Sequence, residues 1–264
     1  MAYNAAEAQY YYRDIITNKQ LLKEVALIRE NKVRSVVIKS FEADGSESEG
    51  FFCERKFSKD YKRAELFTRS DISGASLLTS YFDSEGKLLQ TRDSSAILLS
   101  VSSYFYDDKK RVKSIATAIR SSDDEFTTEI HEEHIYTYKE TDLPESMMRV
   151  KNRNDSTLIL FQSDEKNNIG IEKNTKTGSK YYYYYDDKNR LTDIVHSNET
   201  TQKLLPDYLF EYNNAGQIAQ MTATEEGSSY YYVWKYTYND GLRTMEKCYS
   251  KERRLMGTIE YMYK

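Results

Sequence analysis

The chain of 264 residues lacks the segments that define several large classes of protein. Its two cysteines, Cys53 and Cys248, are too few for a disulfide framework and too far apart for a metal site, so we interpret them as separate thiols. No run of about 18 apolar residues occurs, so no transmembrane helix is expected. The first residues show neither the basic region nor the apolar core of a signal peptide. We therefore expect a cytoplasmic protein or a mature exported segment with an added start methionine.

The charge pattern argues against nucleic acid or a membrane surface as a partner. The formal net charge is −4, and Lys and Arg are interspersed with Asp and Glu along the whole chain. Nucleic-acid binding usually needs a basic face, and no polybasic membrane anchor occurs. Aromatic residues make up 14% of the chain, including 25 tyrosines. Disordered chains are poor in aromatics, whereas tyrosine favours strands, where its ring packs and its hydroxyl stays in water. We expect a single folded domain over residues 1–264.

No catalytic signature is present. The sequence has no G-x-S-x-G motif, no glycine-rich phosphate loop and no supported cysteine–histidine pair, so we predict a non-enzymatic protein without a cofactor. The most metal-like cluster is the segment 131–134, HEEH, but the HExxH zinc motif needs a spacing of four. In a strand, His131 and His134 point to opposite faces, so we interpret both as solvated strand residues and predict no metal site.

Acidic clusters have a simpler explanation than catalysis. The Asp-Asp pairs at 107–108 and 186–187 recur at the same place in a repeat, and turn formation explains them. The acidic segment 44–50 lacks the spacing and the closing glutamate of a calcium loop, so we expect an exposed hairpin turn. His196 stands alone in a predicted strand.

An internal repeat is the dominant feature of the sequence. Segments of the form aromatic-x-aromatic are each followed by a polar turn and an aliphatic strand, as in 104–115, 183–194 and 210–221. Asp and Asn favour these turns because their side chains bond the nearby backbone. The last aromatic residues recur about every 25 residues, apart from a gap of 32 that we attribute to an insertion around residues 121–130. They are Phe57, Phe82, Tyr106, Tyr138, Phe161, Tyr185, Tyr212, Tyr238 and Tyr263.

The repeat predicts the fold class. Each unit holds two strands and two turns, so nine units give roughly 16–18 strands. Open sheets rarely exceed about 10 strands without curling, splitting or closing. We predict an all-β fold over residues 32–264, a large antiparallel meander rolled into a barrel, half-barrel or two-layer shell. One N-terminal helix is predicted over residues 17–30, starting with Thr17 and Gln20 in capping-box spacing. We expect it to pack on the sheet or to cover one edge.

Two repeat units carry Tyr-Asp, at 106–107 and 185–186, followed after the turn by Arg111-Val112 and Arg190-Leu191. In these residues the units resemble YD repeats, the tyrosine–aspartate repeats of Rhs-type proteins, and the resemblance covers roughly residues 51–264. Asn replaces Asp at 213 and 239, and Lys110 and Asn189 stand where the family has a glycine. The chain is also similar to small YD-repeat-like lipoproteins and secreted proteins of Bacteroidetes. The resemblance implies arrays of β-hairpins, a periplasmic, outer-membrane-anchored or secreted location, and scaffolding or encapsulation without catalysis.

The best binding candidate is an aromatic stripe on one face of the strand predicted over 230–238. Lys235 and Thr237 are on the other face, so we expect the stripe to pack inside the rolled sheet, with Trp234 mostly buried. Exposed rings would instead bind a sugar or a peptide. Our leading hypothesis is a structural or binding module with a polysaccharide, peptide or protein partner. The alternatives are a carrier enclosing an apolar ligand such as lipid, and an enzyme with an unrecognised site. The stripe comprises Tyr230, Tyr232, Trp234, Tyr236 and Tyr238.

Overall fold

The computed structural model describes residues 10–71, 73–121, 129–197, 203–225 and 229–264. In these ranges the chain forms one α-helix followed by eighteen β-strands. The elements are α1 (Arg13–Glu30), β1 (Ser35–Glu42), β2 (Phe52–Phe57), β3 (Arg63–Ser70), β4 (Gly74–Phe82), β5 (Leu88–Ser95), β6 (Leu98–Tyr106), β7 (Val112–Ser121), β8 (Glu129–Tyr138), β9 (Pro144–Lys151), β10 (Asp155–Ser163), β11 (Ile169–Asn174), β12 (Lys180–Tyr185), β13 (Leu191–Ser197), β14 (Leu204–Tyr212), β15 (Ile218–Thr224), β16 (Tyr231–Asn239), β17 (Leu242–Ser250) and β18 (Leu255–Tyr263).

The strands form a closed antiparallel barrel. Each strand pairs with the next one along the chain, and β18 pairs with β1, where Tyr263 lies opposite Val36. The predicted all-β meander is thus confirmed, and of the three predicted shapes the barrel is the one formed. Closure leaves no sheet edge, so of the two placements expected for the helix, packing on the sheet is the one that forms, on its inner face. The insertion predicted around residues 121–130 falls largely outside the described residues.

The repeating tyrosines tie neighbouring units together. Each ring points into the barrel, and its hydroxyl donates to a backbone carbonyl of the preceding unit, as Tyr106 Oη does to Leu88 O at 2.8 Å. These hydroxyls are therefore bonded to the protein rather than left in water, which corrects our expectation. Phe57, Phe82 and Phe161 fill equivalent positions. Every unit therefore needs the aromatic ring for packing, and where the residue is tyrosine its hydroxyl adds a hydrogen bond to the preceding unit. The donors are Tyr106, Tyr138, Tyr185, Tyr212, Tyr238 and Tyr263.

Four of the turns after these aromatics share one hydrogen-bond pattern, in which an Asp side-chain oxygen accepts two backbone N–H groups. Asp107 Oδ1 accepts the backbone N–H groups of Lys109 and Arg111, and Arg111 Nε donates to Asp107 Oδ2 at 2.7 Å. Lys110 has a φ of 65° at the position where the turn of the preceding unit has Gly86 at 89°. The left-handed conformation explains why glycine suits this position, and the side-chain bonds of Asp107 hold Lys110 in it.

The helix begins earlier than predicted, at Arg13 instead of Thr17. Tyr12 is the N-cap residue and its side chain makes no capping bond. Thr17 Oγ1 donates to the carbonyl of Arg13 at 2.8 Å, as hydroxyls within helices often do. The predicted capping box at Thr17 and Gln20 is therefore wrong, because a distant strand caps this helix.

The helix lies inside the barrel, near the rim that carries the Asp and Asn turns. It is in contact with inward-facing side chains such as Tyr106 on β6 and Tyr136 on β8. Two apolar clusters surround it. One packs around its N-terminal half and includes Ile159, and the other packs around Val25 and Ile28. Among the described residues, no helix has the length and apolar character that a bilayer crossing requires.

Candidate ligand-binding site in the barrel interior

Glu172 on β11 holds the N-terminus of the helix. Its carboxylate accepts hydrogen bonds from the backbone N–H groups of Tyr11 and Tyr12 and from the hydroxyl of Tyr183, each at 2.8 Å. The first N–H groups of a helix have no partner within it, and the helix dipole favours a negative charge there. Burial raises the pKa of Glu172 to about 7. The wall of the barrel thus supplies the cap that the local sequence does not.

A second polar contact joins the same end of the helix to β8. His134 Nδ1 lies 2.6 Å from Asp14 Oδ2, and its Nε2 lies 2.9 Å from Glu132 Oε1. The Tyr136 hydroxyl also donates to Asp14, at 2.8 Å. Burial by itself would lower the pKa of His134, but the bonds to Asp14 and Glu132 raise it to about 9. His134 is thus a buried cation between two carboxylates, and the prediction that it is solvated is wrong.

Two cavities flank the helix beyond this anchored end. The larger, about 630 Å³, lies between the helix and the inward faces of β1–β3 and β15–β18. The smaller, about 340 Å³, lies between the helix and β2–β6. Both are lined by Leu21 on the helix and by Arg55 and Leu66 on the wall, so they adjoin. Such volumes are typical of small-molecule sites. The apolar lining of the larger cavity comprises Leu21, Leu27, Ile28, Val36, Ile38, Leu66, Ile218, Leu242, Tyr238, Tyr261 and Tyr263.

A few charged side chains interrupt this apolar lining. Arg55 Nη1 donates to Glu24 Oε1 on the helix at 2.6 Å. Arg243 Nη1 donates to Glu246 Oε1 at 2.7 Å, and its guanidinium lies 4.3 Å from the ring centre of Tyr236. An apolar cavity with a few polar groups at fixed positions can bind a small molecule and orient it.

The aromatic stripe lies on the inner wall of β16. Tyr238 lines the larger cavity, and the Tyr236 hydroxyl points at the sulfur of Met221 at 3.8 Å. Farther along the strand Trp234 is half-buried, and Tyr232 is 39% exposed. Tyr230 precedes the strand and is 57% exposed. The stripe therefore runs from the cavity towards the opposite rim, where its side chains become open to water.

The structure also locates the other candidate residues that the sequence singled out. His131 is exposed on the outer face, whereas His196 Nδ1 pairs with Asp207 at 2.9 Å and so does not stand alone. Residues 44–50 form a mostly exposed connection between β1 and β2. Cys53 and Cys248 are free and buried, and burial raises the pKa of both thiols. Within the described ranges no group of three His, Cys, Asp or Glu residues could hold a metal ion.

Sequence reasoning missed the interior polar residues. The strand period of two offered a signal for some of them. Counted back from Tyr138, it places Tyr136 and His134 on the inward face, and counted back from Phe57 it places Arg55 there. No comparable signal singles out Glu172, because its role depends on a helix 160 residues earlier in the chain.

Comparison with protein-family models and with curated proteins gives no match. Among solved structures, a porin-like protein from Bacteroides uniformis is 10% identical, with a TM-score of 0.42 over 88% of this chain and 98% of that chain. A porin-like protein from Bacteroides vulgatus is 11% identical, with a TM-score of 0.30 over 88% and 98%. A β-barrel-like protein of unknown function from Brucella abortus is 10% identical, with a TM-score of 0.27 over 87% and 96%. These likenesses are too distant to decide function, and none gives sequence support for the YD-repeat family.

Proposed function

We propose that this protein is a non-enzymatic binding protein that holds a small apolar or amphipathic molecule inside its barrel. The observation that carries the proposal is the 630 Å³ cavity between the helix and the wall. Aliphatic and aromatic side chains dominate its lining, and removing an apolar ligand from water into such a site is favourable. This choice favours the carrier alternative over a surface scaffold.

The orientation of the aromatic stripe supports an interior site. Tyr236 and Tyr238 face the lumen, so a polymer running along the outside of the barrel could not reach them. The half-buried Trp234 and the exposed Tyr232 continue this aromatic wall towards the opposite rim. A ligand entering from that rim would meet aromatic rings first and the aliphatic cavity afterwards.

The buried ionisable groups do not favour an enzyme. Glu172 and Asp14 both have structural partners, and they fix the helix rather than face a cavity. A general acid or base must reach a bound substrate directly or through one water. Both carboxylates are therefore used to position the helix.

The outer wall does not favour a pore across a bilayer. Lys235 on β16 alternates with the inward-facing Tyr236 and lies directly opposite Lys247 on β17. Membrane-spanning barrels present an apolar band to lipid, and a lysine near its middle costs about 2–4 kcal/mol. Two neighbouring lysines at mid-strand fit an outer face in contact with water. An envelope location remains our prediction from the sequence resemblance, and fractionation of the native cells would test it.

The binding role can be tested with the neutral dye Nile red on protein stripped of bound lipid. We expect a saturable fluorescence increase for the wild type. Leu66→Trp should fill the junction of the two cavities and weaken dye binding at least tenfold. Phe67→Trp, on the outward face of the same strand, is the matched control and should bind normally.

Two results would contradict the proposal. One is a folded wild-type protein, checked by circular dichroism, that shows no saturable dye binding. The other is an equal loss in Leu66→Trp and Phe67→Trp, since the dye would then lie outside the cavity.

A further inference from the structure

We infer that Arg55 binds the oxyanion head of a single-chain amphiphile, so that the ligand is an anionic lipid such as a fatty acid or an alkyl phosphate. This inference rests on the proposed interior binding function and specifies its ligand class. Arg55 is one of the few residues that line both cavities, and it stands where they adjoin. A head group placed there would leave an apolar cavity on either side for its chain.

The guanidinium of Arg55 has hydrogen-bonding capacity to spare. Its Nη1 bonds to Glu24, and no hydrogen bond within the described ranges uses its Nε or Nη2. The group carries five N–H donors in a planar fork that matches carboxylate and phosphate oxygens. The Arg55 side chain is only 16% exposed, so water has limited access to these donors. A buried charge with unused donors gains more from an incoming oxyanion than a solvated one does.

The charged residues that line the two cavities favour an anionic ligand. The charged residues that line the two cavities are three cations, Lys23, Arg55 and Arg243, and one carboxylate, Glu24. Arg243 is neutralised by Glu246 behind it, and the side chain of Glu24 is 53% exposed. Because Glu24 is so exposed, it can turn towards water at little cost when an oxyanion takes its place. Lys23 is exposed to water, so Arg55 is then the positive group available inside the cavity.

The apolar surroundings select the rest of the ligand. Leu21 and Leu66 flank Arg55 in both cavities, and Ile38 extends the apolar surface along the larger one. A small inorganic anion would leave these side chains without contact. An alkyl chain attached to the anion would bury them, at roughly 0.8 kcal/mol for each methylene group buried.

The test compares three twelve-carbon compounds as competitors of Nile red: dodecanoate, dodecyl phosphate and the uncharged dodecanol. For the wild type, we expect at least one anion to displace the dye at a tenfold lower concentration than dodecanol. If both anions do so, Arg55 recognises charge in general, and if only dodecanoate does, the ligand is a fatty acid. In Arg55→Gln, the anions and the alcohol should become equal within about twofold.

Glu24→Gln is the matched control, because it breaks the same ion pair from the other side. It should strengthen anion binding severalfold by removing the competing carboxylate. If both variants weaken anion binding equally, the pair only fixes the helix and the inference is wrong. Should Arg55→Gln fail to fold, Arg55→Lys keeps the charge without the planar fork and should reduce the anion preference. If dodecanol displaces the dye from the wild type at the same concentration as both anions, the inference is wrong but the proposed function stands. If the wild type binds no dye at all, the proposed function itself is wrong.

Discussion

The two halves of the barrel interior differ in how completely they are filled. Around the N-terminus of the helix, the wall from β7 to β13 packs tightly, and Met147 and Ile159 are 0% exposed. Around the C-terminal half, the helix packs through Val25 and Ile28, but the wall formed by β1–β3 and β15–β18 leaves the 630 Å³ cavity beside it. The same repeat unit builds both walls, so the difference comes from the helix and its contacts.

The filled half also holds the buried polar contacts that fix the helix. Glu172 and His134 fix the helix by bonds of defined length and direction, and a buried polar network is costly if any member loses its partner. The other half holds the helix mainly through Val25 and Ile28, whose apolar contacts have no fixed direction. The helix is thus anchored at one end by specific hydrogen bonds. Its other end can therefore line a cavity without being packed on every side.

The largest expected effect tests the difference in filling. Ile159→Ala should destabilise the protein by about 2–5 kcal/mol, because a fully buried side chain leaves an unfilled space. Ile38→Ala is the matched change in the other half, where Ile38 already borders the cavity, and it should cost at most half as much. Urea unfolding of both variants measures the two values, and equal losses would show that the two halves are filled alike.

The next effect tests the polar anchor through its pH dependence. His134 has a pKa of about 9 in the folded protein against an ordinary value of 6.5, so the folded state holds an extra proton between these pH values. The resulting stabilisation is complete below pH 6.5 and is lost as the pH rises through 9, by roughly 3 kcal/mol. His134→Gln should abolish the part of this loss that lies between pH 7.5 and 9, above the pKa of about 7 that burial gives Glu172, in unfolding experiments at these two pH values. The exposed His131→Gln should leave it unchanged, and a loss retained without His134 would assign it to another group.

A moderate effect is expected at the aromatic stripe, between the filled and open regions. Because Trp234 is half-buried instead of mostly buried, Trp234→Ala should cost roughly half of the 3–5 kcal/mol typical of a buried tryptophan. As Trp234 is the single tryptophan of the chain, its emission should lie between those of buried and exposed indole. Fully quenchable emission together with an unchanged melting temperature would place the whole stripe in open water.

The smallest effect concerns the turns, which the two halves share. Asp107→Ala removes two backbone hydrogen bonds and the bond to Arg111 in a largely exposed turn, so the loss should be about 1 kcal/mol. Asp108→Ala alters the adjacent exposed residue and should change the melting temperature little. If the two variants melt alike, the Asp side chain does not hold Lys110 in its left-handed conformation.

Local patterns predicted the elements of this protein well. The recurrence of the last aromatic residue, from Phe57 to Tyr263, gave the number and direction of the strands, because a hairpin depends on residues close together in sequence. The alternation of side chains along a strand gave the two faces of β16, with Lys235 outside and Tyr236 inside. The turn residues Lys110 and Asn189 departed from the expected glycine, and the preceding Asp residue of each turn compensates for it.

The sequence by itself determined that the chain is a tyrosine-rich antiparallel meander with one N-terminal helix. The tertiary structure alone decided that β18 meets β1, that the helix lies within the barrel and that Glu172 caps it. The physical reason is distance along the chain. Closure and capping depend on groups 160 or more residues apart, and no short-range pattern records which of many acidic residues will meet a free helix end. The chamber beside Arg55 follows from these contacts, because it is the space left when the anchored helix cannot fill the barrel.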